Sequence, residues 1–189
     1  HRKSGVAWLK KFGVAVSEDD IMVTCGLQNA LAVTLVSLFK FGDKIATNAV
    51  IYPGIKNLAN SLGIQLLPIP YDEQRMDLQI LSHMCKNDNI KGIYLIPDHH
   101  NPTTIYMEKD ERENIVEIIK KHNLLCIEDG TYSFLNDVPH TPIKAMIPEQ
   151  TIYISSVSNS LSPGFRIAYV AVPPAFKKQM VTTNSNINV

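Results

Sequence analysis

The feature that most constrains the fold is a regular alternation of short apolar runs with amphipathic stretches of helical spacing. Residues 93–96 and 124–127 are nearly continuous apolar runs, which is typical of strands covered by helices on both faces. Ile115, Ile118 and Ile119 instead recur at helical spacing within a charged stretch. Because the links between these segments are short, the pattern predicts a three-layer α/β/α domain with a mostly parallel seven-stranded sheet.

The predicted strands cover residues 21–24, 44–47, 65–68, 92–96, 124–128, 151–155 and 168–172. The predicted helices cover residues 2–12, 27–41, 53–62, 78–86 and 109–121, and a basic helical stretch at 175–180 precedes a polar tail at 184–189. Two side chains are predicted helix N-caps, and three glycines are predicted helix stops. They are Asp77 and Ser17, and Gly13, Gly42 and Gly63.

Composition excludes some classes of function. The 18 basic and 18 acidic residues of the 189-residue chain cancel, which argues against a broad electrostatic field for nucleic acid or anionic membrane. No apolar run approaches the roughly 20 residues of a membrane span, and no signal peptide is visible. Cys25, Cys85 and Cys126 are expected to be buried thiols, which favours a reducing, cytoplasmic compartment. The chain starts without Met and is expected to be one domain, residues 1–189, of a longer protein.

Polar residues follow the predicted strands, where open α/β sheets bind their ligands. Gly26 stands between a strand and a helix whose first residues, Leu27 and Gln28, could offer free N–H groups to an anion. Taken alone, this is also the pattern of a plain strand-to-helix turn. Tyr52, before the helix-starting Pro53, could stack on a planar ligand or simply pack in a loop.

Two later strands end in residues suited to a heterocycle. Asn101 precedes a proline, which can aim its amide at a ligand oxygen, although it could also be an ordinary turn residue. Asp129 ends the most apolar strand, so it needs a cation or a hydrogen-bond donor unless it caps a helix. His99 and His100 are adjacent, but no carboxylate or cysteine cluster accompanies them, so no metal site is predicted.

A serine-rich segment supplies groups for a phosphate. Ser156, Ser158 and Arg166 combine short hydroxyls with a guanidinium, which suits a phosphate dianion. The turn at residues 162–164 would fold Arg166 back toward the serines. The alternative is a serine-rich surface loop.

Together these motifs have a specific order. Gly-x-Gln, Tyr-Pro-Gly, Asn-Pro-Thr, Asp-x-x-Tyr and Ser-x-Ser-Asn-x-x-x-Pro-Gly-x-Arg resemble the large domain of fold-type I, class I/II aminotransferases, which use pyridoxal phosphate. The resemblance covers nearly the whole chain. It is strongest to two branches: the aminoadipate/kynurenine aminotransferases, and MocR-type transcription regulators with an upstream GntR-type winged helix.

The resemblance implies a role for each motif residue. Leu27, Gln28, Ser156, Ser158 and Arg166 would hold the cofactor phosphate. In addition, Tyr52 would stack on the ring, Asn101 and Tyr132 would bind its 3-oxygen, and Asp129 would keep the ring nitrogen protonated.

The sequence departs from the family at Asn159, which stands where the family has the lysine that bonds covalently to the cofactor. The cofactor would therefore be held non-covalently at most. An engineered change, a sequencing or cloning change, or a natural degenerate paralogue would each explain Asn159; the survival of the other motifs favours a recent or artificial change. Thr104 also replaces the usual glycine after Asn-Pro-Thr. The family's N-terminal arm and C-terminal small domain are not part of this sequence.

Three functions follow from the resemblance. The Lys-intact form would transfer an amino group between an amino acid and a 2-oxo acid. The rivals are an effector-sensing domain of a DNA-binding regulator and a catalytically dead paralogue. The family also implies a homodimer with pockets at its interface. About 70 residues of basic winged-helix sequence upstream would favour the regulator.

Overall fold

The computed structural model describes residues 1–188. Nine strands form two sheets: β1 Ile21–Thr24, β2 Lys44–Asn48, β3 Gln65–Ile69, β4 Tyr71–Asp72, β5 Arg75–Met76, β6 Ile90–Leu95, β7 Leu125–Asp129, β8 Thr151–Ser156 and β9 Ala168–Ala171. The α-helices are α1 Arg2–Lys10, α2 Leu27–Leu38, α3 Pro53–Ser61, α4 Leu78–Asn87, α5 Lys109–His122, α6 Ile143–Met146 and α7 Pro174–Ile187. Short 3-10 helices cover Glu18–Asp20, Ser133–Leu135 and Pro163–Phe165.

The main sheet has seven strands in the order β1-β9-β8-β7-β6-β2-β3. All neighbours from β8 to β3 are parallel, and β9 is antiparallel to both β8 and β1. Six strands therefore share one direction, and their carboxyl ends lie along one edge. The predicted mostly parallel α/β sheet is confirmed.

Helices cover both faces of the sheet. Neighbouring residues of β6 point in opposite directions: Tyr94 packs in one apolar cluster with α2 and α3, and Ile93 packs in another with α4 and α5. Both side chains are almost fully buried. This two-sided burial is why the central strands are apolar at nearly every position. No helix in the described residues is long and apolar enough to cross a membrane.

The cap predictions are partly right. Asp77 accepts hydrogen bonds from the backbone N–H groups of Gln79 and Ile80, so it caps α4 as predicted. Ser17 instead donates to the Asp20 carboxylate and caps no N–H group of the 3-10 helix that follows it. The three predicted helix-stop glycines all adopt positive φ. They are Gly13, Gly42 and Gly63, although α2 already ends at Leu38.

Other predictions need correction. The polar tail is mostly helical: α7 extends to Ile187, because Phe176 and Met180 pack it against the apolar cluster beside α2, while Val189 lies outside the described residues. Cys25 is exposed in the turn after β1, so the prediction of three buried thiols was wrong there. Cys126 is buried and Cys85 is half-buried.

Glu128 is a buried carboxylate whose hydrogen bonds fix the start of α6. It is 1% exposed and accepts hydrogen bonds from the backbone N–H groups of Ile143 and Lys144, at 3.0 and 2.7 Å. Burial raises the pKa of Glu128 to about 7, against the opposing effect of these two donors. Burial also lowers the pKa of Lys144, whose ammonium donates to the carbonyls of Pro148 and Thr151, to about 8.

Glu128 should therefore make the fold less stable as pH rises. A carboxyl whose pKa is raised by folding favours the folded state when protonated, and that contribution is lost between about pH 4.5 and 7. The loss should be about 3 kcal/mol. Urea unfolding from pH 4.5 to 7.5 measures it, and Glu128→Gln should flatten the dependence. An equal pH slope in both proteins would contradict this origin.

Candidate functional site

A cavity of about 260 Å³ lies at the carboxyl edge of the sheet. Twelve residues line it, and they include all ten side chains that the sequence nominated. They are Leu27, Gln28, Tyr52, Ile96, Asn101, Asp129, Thr131, Tyr132, Ser156, Ser158, Asn159 and Arg166. Two clefts elsewhere, of about 610 and 690 Å³, are larger, but neither gathers these motifs. Convergent polar groups, rather than volume, identify this cavity as the candidate site.

One end of the cavity is built from the start of α2 and from Arg166. Gly26 precedes α2 with φ +83°, and the guanidinium packs so closely that a Cβ at Gly26 would lie 3.1 Å from Nη2 of Arg166. Only glycine suits both the conformation and the space. The first N–H groups of this 12-residue helix have no partner within the helix, so donors and a cation converge here.

No acidic side chain in the described residues pairs with Arg166. Arg166 adopts a left-handed conformation with φ +49° after the 3-10 helix Pro163–Phe165. Its guanidinium forms no ion pair with any residue in 1–188, and the side chain is exposed and lines the cavity. Arg166 lines the same cavity as Ser156 and Ser158, which agrees with the prediction that the turn folds it back toward these serines.

The two serines of the segment differ in their bonding. Ser156 ends β8 and is 2% exposed, and its hydroxyl accepts a hydrogen bond of 3.2 Å from the backbone N–H of Ser158. The Ser158 hydroxyl is buried and has no hydrogen-bond partner within residues 1–188. A buried hydroxyl without a partner is costly, so Ser158 leaves an open position for a ligand acceptor or donor.

Asp129 is a buried carboxylate without a cation. It is 2% exposed, and it accepts hydrogen bonds from the Tyr94 hydroxyl at 2.9 Å and from the backbone N–H of Thr131 at 3.1 Å. Burial raises the pKa of Asp129, while the Thr131 and Tyr94 donors oppose that rise. No lysine or arginine in the described residues pairs with it, so its charge favours a positively charged ligand atom.

Asn101 and Tyr132 meet across two loops. The Asn101 amide nitrogen lies 3.1 Å from the Tyr132 hydroxyl, which brings the loop after β6 against the loop after β7. Tyr52 also lines the cavity and is half-buried, and its hydroxyl lies 3.4 Å from the Gln28 amide oxygen. Gln28 in turn donates to the Gly54 carbonyl at 3.0 Å, which fixes the loop that carries Tyr52.

Two further sequence features lie in the segment around Asn101. Thr104, which replaces a usual glycine, has φ +62° in the region that favours glycine. The two adjacent histidines point to separate partners: His99 contacts Asn136 at 2.9 Å and His100 contacts Thr103 at 2.8 Å. Within the described residues no cluster of three His, Cys, Asp or Glu could hold a metal.

The sequence missed two polar residues of the site. Thr131 is 3% exposed and lines the cavity; its hydroxyl faces Asp129, but it has no partner of normal hydrogen-bond geometry in residues 1–188. The spacing Asp-x-x-Tyr could have drawn attention to it. Tyr94 lies near the end of β6, and the apolar pattern of that strand does not indicate that its hydroxyl binds Asp129.

Comparison with known proteins identifies the family. A model of aminotransferase class I and II matches residues 6–189, nearly the full chain. The chain belongs to the class I and II aminotransferase family. The resemblance inferred from the sequence motifs is therefore confirmed, and the curated relatives include an HTH-type transcriptional regulator and the kynurenine/alpha-aminoadipate aminotransferase of Mus musculus.

Curated relatives of this aminotransferase-family chain fall into two groups. The uncharacterized HTH-type transcriptional regulator YdeF of Bacillus subtilis is 43% identical over 188 residues, which cover 100% of this chain and 41% of the regulator. Aromatic-amino-acid aminotransferase 1 of Thermococcus litoralis is 27% identical over 191 residues, which cover 96% of this chain and 46% of that aminotransferase. The chain thus spans less than half the length of these relatives.

Solved aminotransferases share the fold. An archaeal alanine:glyoxylate aminotransferase superposes with a TM-score of 0.92 at 28% identity, over 99% of this chain and 48% of the other. The kynurenine aminotransferase of Pyrococcus horikoshii, solved with PMP, superposes with a TM-score of 0.89 at 28% identity over the same shares. The aminotransferase-family fold is therefore present over the whole described chain.

Proposed function

We propose that this chain is a pyridoxal-phosphate-binding domain of aminotransferase type that holds its cofactor without a covalent bond. The observation that carries the proposal is one cavity lined by a buried carboxylate without a cation, Asp129, and a guanidinium without an acid, Arg166. Pyridoxal phosphate offers the complementary groups, a phosphate dianion and a protonated ring nitrogen. When bound, it supplies an electron sink for amino-acid chemistry.

The phosphate end of the cavity fits this cofactor. The start of α2 at Leu27 and Gln28 presents backbone N–H groups, and the absence of a Cβ at Gly26 leaves room for Arg166 beside them. The Ser158 hydroxyl is buried and has no hydrogen-bond partner within residues 1–188. Together with Ser156, these groups would bind the phosphate oxygens.

The ring end fits as well. Tyr52 would stack on the ring face, and the contact between Asn101 and Tyr132 would place both side chains at the 3-oxygen. Asp129, oriented by Tyr94, would hold the proton on the ring nitrogen. Because Asp129 is buried at the edge of the sheet, water is excluded from it, which strengthens its pairing with the ring nitrogen.

Position 159 limits what the domain does. With lysine there, the domain would exchange an amino group between an amino acid and a 2-oxo acid, and the lysine would also carry the substrate α-proton. The amide of Asn159 can do neither. This chain is thus a cofactor-binding domain, and enzymatic turnover belongs to the Lys-intact form.

A second function has specific support. The relative with 43% identity is an HTH-type transcriptional regulator, and this chain covers 41% of it. In such a protein the domain would sense an effector and the cofactor would act as a ligand. The upstream reading frame discriminates between this function and an aminotransferase: a basic winged-helix sequence there would favour the regulator.

A homodimer is also proposed. Leu161 and Phe165 lie between the cavity residues Ser158 and Arg166, and they are 62% and 60% exposed. Exposed apolar side chains of this size, in the segment that carries two cavity residues, are suited to cover by a second copy. Such a copy would close the cavity to water.

Arg166→Ala tests the phosphate contact. Loss of the guanidinium should weaken binding of pyridoxal phosphate by about 1.5–3 kcal/mol, because a charge-assisted hydrogen bond disappears. Isothermal titration measures the change. Arg2→Ala is the matched control, because Arg2 lies on α1, outside the cavity lining. Equal affinity of the Arg166→Ala protein and the unaltered chain would remove the main support for the proposed function.

A further inference from the structure

We infer that Ser133 is a positioning residue, because its hydrogen bond to Asp98 aligns two cavity side chains that meet across neighbouring loops. These side chains are Asn101 and Tyr132. The inference rests on the proposed function, in which both bind the 3-oxygen of the cofactor ring. Neither Ser133 nor Asp98 lines the cavity, so both would act on a ligand only through that pair.

The contact between the two cavity side chains needs support from deeper in the fold. Asn101 lies in the loop after β6 and Tyr132 in the loop after β7, and both are half-buried. Their contact of 3.1 Å joins two neutral groups. A neutral hydrogen bond that water can reach holds two loops together only weakly, because water competes for both partners. Other contacts must therefore fix the alignment.

The loop after β6 is fixed at both of its ends by Arg112. This arginine of α5 is 1% exposed and donates to the carbonyls of Pro97 and Met107, at 3.2 and 2.8 Å. The Met107 N–H also donates to the Pro97 carbonyl at 2.7 Å, which closes the base of the loop. Arg112 lies 2.6 Å from the Asp98 carboxylate, so Asp98 is a charged acceptor with a fixed position.

Ser133 joins the loop after β7 to this fixed carboxylate. Its hydroxyl donates to Oδ2 of Asp98 at 2.5 Å, and the two side chains are 5% and 6% exposed. A hydroxyl that donates to a carboxylate forms one of the stronger hydrogen bonds in proteins, and burial protects this one from water. Ser133 directly follows Tyr132, so the bond fixes the backbone beside the cavity residue.

A further contact joins the same loops. Nε2 of His99 lies 2.9 Å from Oδ1 of Asn136. Residue pairs 98 with 133, 99 with 136 and 101 with 132 therefore connect the two loops, and only the last pair belongs to the twelve lining residues. Of the other two pairs, 98 with 133 is buried and has a charged acceptor, so it should dominate the alignment.

Ser133→Ala tests the inference by titration with pyridoxamine phosphate, which has the ring and phosphate of the cofactor but no aldehyde to react with surface lysines. Affinity follows the fraction of molecules whose pair is aligned, and loss of one hydrogen bond to a charged group should lower that fraction, and the affinity, about tenfold. Tyr153→Phe is the matched control. It removes a hydroxyl 3.4 Å from that of Ser133 but keeps the bond to Asp98, so affinity should not change.

Two backgrounds separate positioning from a general loss of structure. In Tyr132→Phe the aligned pair is already lost, so adding Ser133→Ala should change the affinity by no more than about twofold. In Arg166→Ala the pair remains, so Ser133→Ala should still weaken binding about tenfold. A purely structural role would weaken binding by the same factor in both backgrounds. That result, or an unchanged affinity of Ser133→Ala, would overturn the inference while leaving the proposed function intact.

The test also holds if a variant or the ligand fails. If urea unfolding showed that Ser133→Ala does not fold, Ser133→Cys would replace it in both backgrounds, because a thiol fills the site but is a weak donor. If neither pyridoxamine phosphate nor pyridoxal phosphate bound the unaltered chain, the proposed function would fail. A crystal structure of the Ser133 variant would then decide the inference: the contact between Asn101 and Tyr132 should be lost, and its retention at 3.1 Å would overturn the inference.

Discussion

Asn159→Lys is expected to convert reversible binding of pyridoxal phosphate into covalent binding at residue 159. The other cavity residues are in place, so only the amine is missing. The cofactor absorbance should shift on binding, and borohydride should then add the cofactor mass to a peptide that contains residue 159. The unaltered chain should show no modification of that peptide.

Ser160→Lys is the matched control for the covalent binding expected at residue 159. Ser160 is the next residue, but it does not line the cavity, so its lysine should not react preferentially. Efficient trapping at residue 160, or no trapping at residue 159, would contradict the placement of the reactive position.

The Asn159→Lys variant also separates the two proposed functions. If the domain is of aminotransferase type, the Asn159→Lys protein in its full-length context should convert amino acids. Asp129→Ala in that background should lower the rate about 100-fold or more while changing cofactor affinity less, because the ring proton matters most as charge develops in the transition state. Binding without conversion of any amino acid would favour the ligand-sensing function instead.

Arg112→Met should cost about 3–5 kcal/mol of unfolding free energy, because it leaves a buried carboxylate unpaired. Arg112 is 1% exposed and lies 2.6 Å from the Asp98 carboxylate. It also donates to the carbonyls of Met107 and Pro97 at 2.8 and 3.2 Å. Burial by itself would raise the pKa of Asp98, but Arg112 and the Ser133 hydroxyl hold that pKa below its ordinary value. Urea unfolding measures the loss.

Two comparisons isolate the buried pair. Arg75→Met removes an arginine that also contacts an aspartate, Asp110, at 2.7 Å, but that pair is exposed and its loss should change stability little. Adding Asp98→Asn to Arg112→Met should restore part of the stability, because no unpaired charge then remains. A stability loss in Arg112→Met no larger than in Arg75→Met would show that the buried pair contributes little.

The sequence predicted the sheet well because its strands are buried on both sides. Tyr94 and Ile93 face opposite apolar clusters, and such positions leave a continuous apolar run that is visible without a structure. Residues that follow these strands could be predicted as site residues because the strand ends mark the carboxyl edge of the sheet, where such sheets bind ligands. The ten predicted site residues therefore meet in one cavity.

The sequence did not predict features that depend on contacts between distant segments. Helix α6 has only four residues and is fixed by hydrogen bonds to Glu128, which no local pattern encodes. Thr131 belongs to the site because its buried, unpartnered hydroxyl lines the cavity, and this depends on how the loop after β7 packs. The helical tail could not be predicted because its packing against α2 outweighs its polar composition.

The unequal bonding of the cavity residues has a consequence for how this chain tolerates mutation. Asp129 and Ser156 are buried and hydrogen-bonded to the protein itself, so their replacement carries a folding cost even when no cofactor binds. Asn159 is exposed and makes no such bond within residues 1–188, so a change there costs the fold almost nothing. Selection for a folded domain alone would therefore preserve Asp129 and Ser156 and leave residue 159 free to drift, so the presence of these two residues does not require that the loss of the lysine be recent.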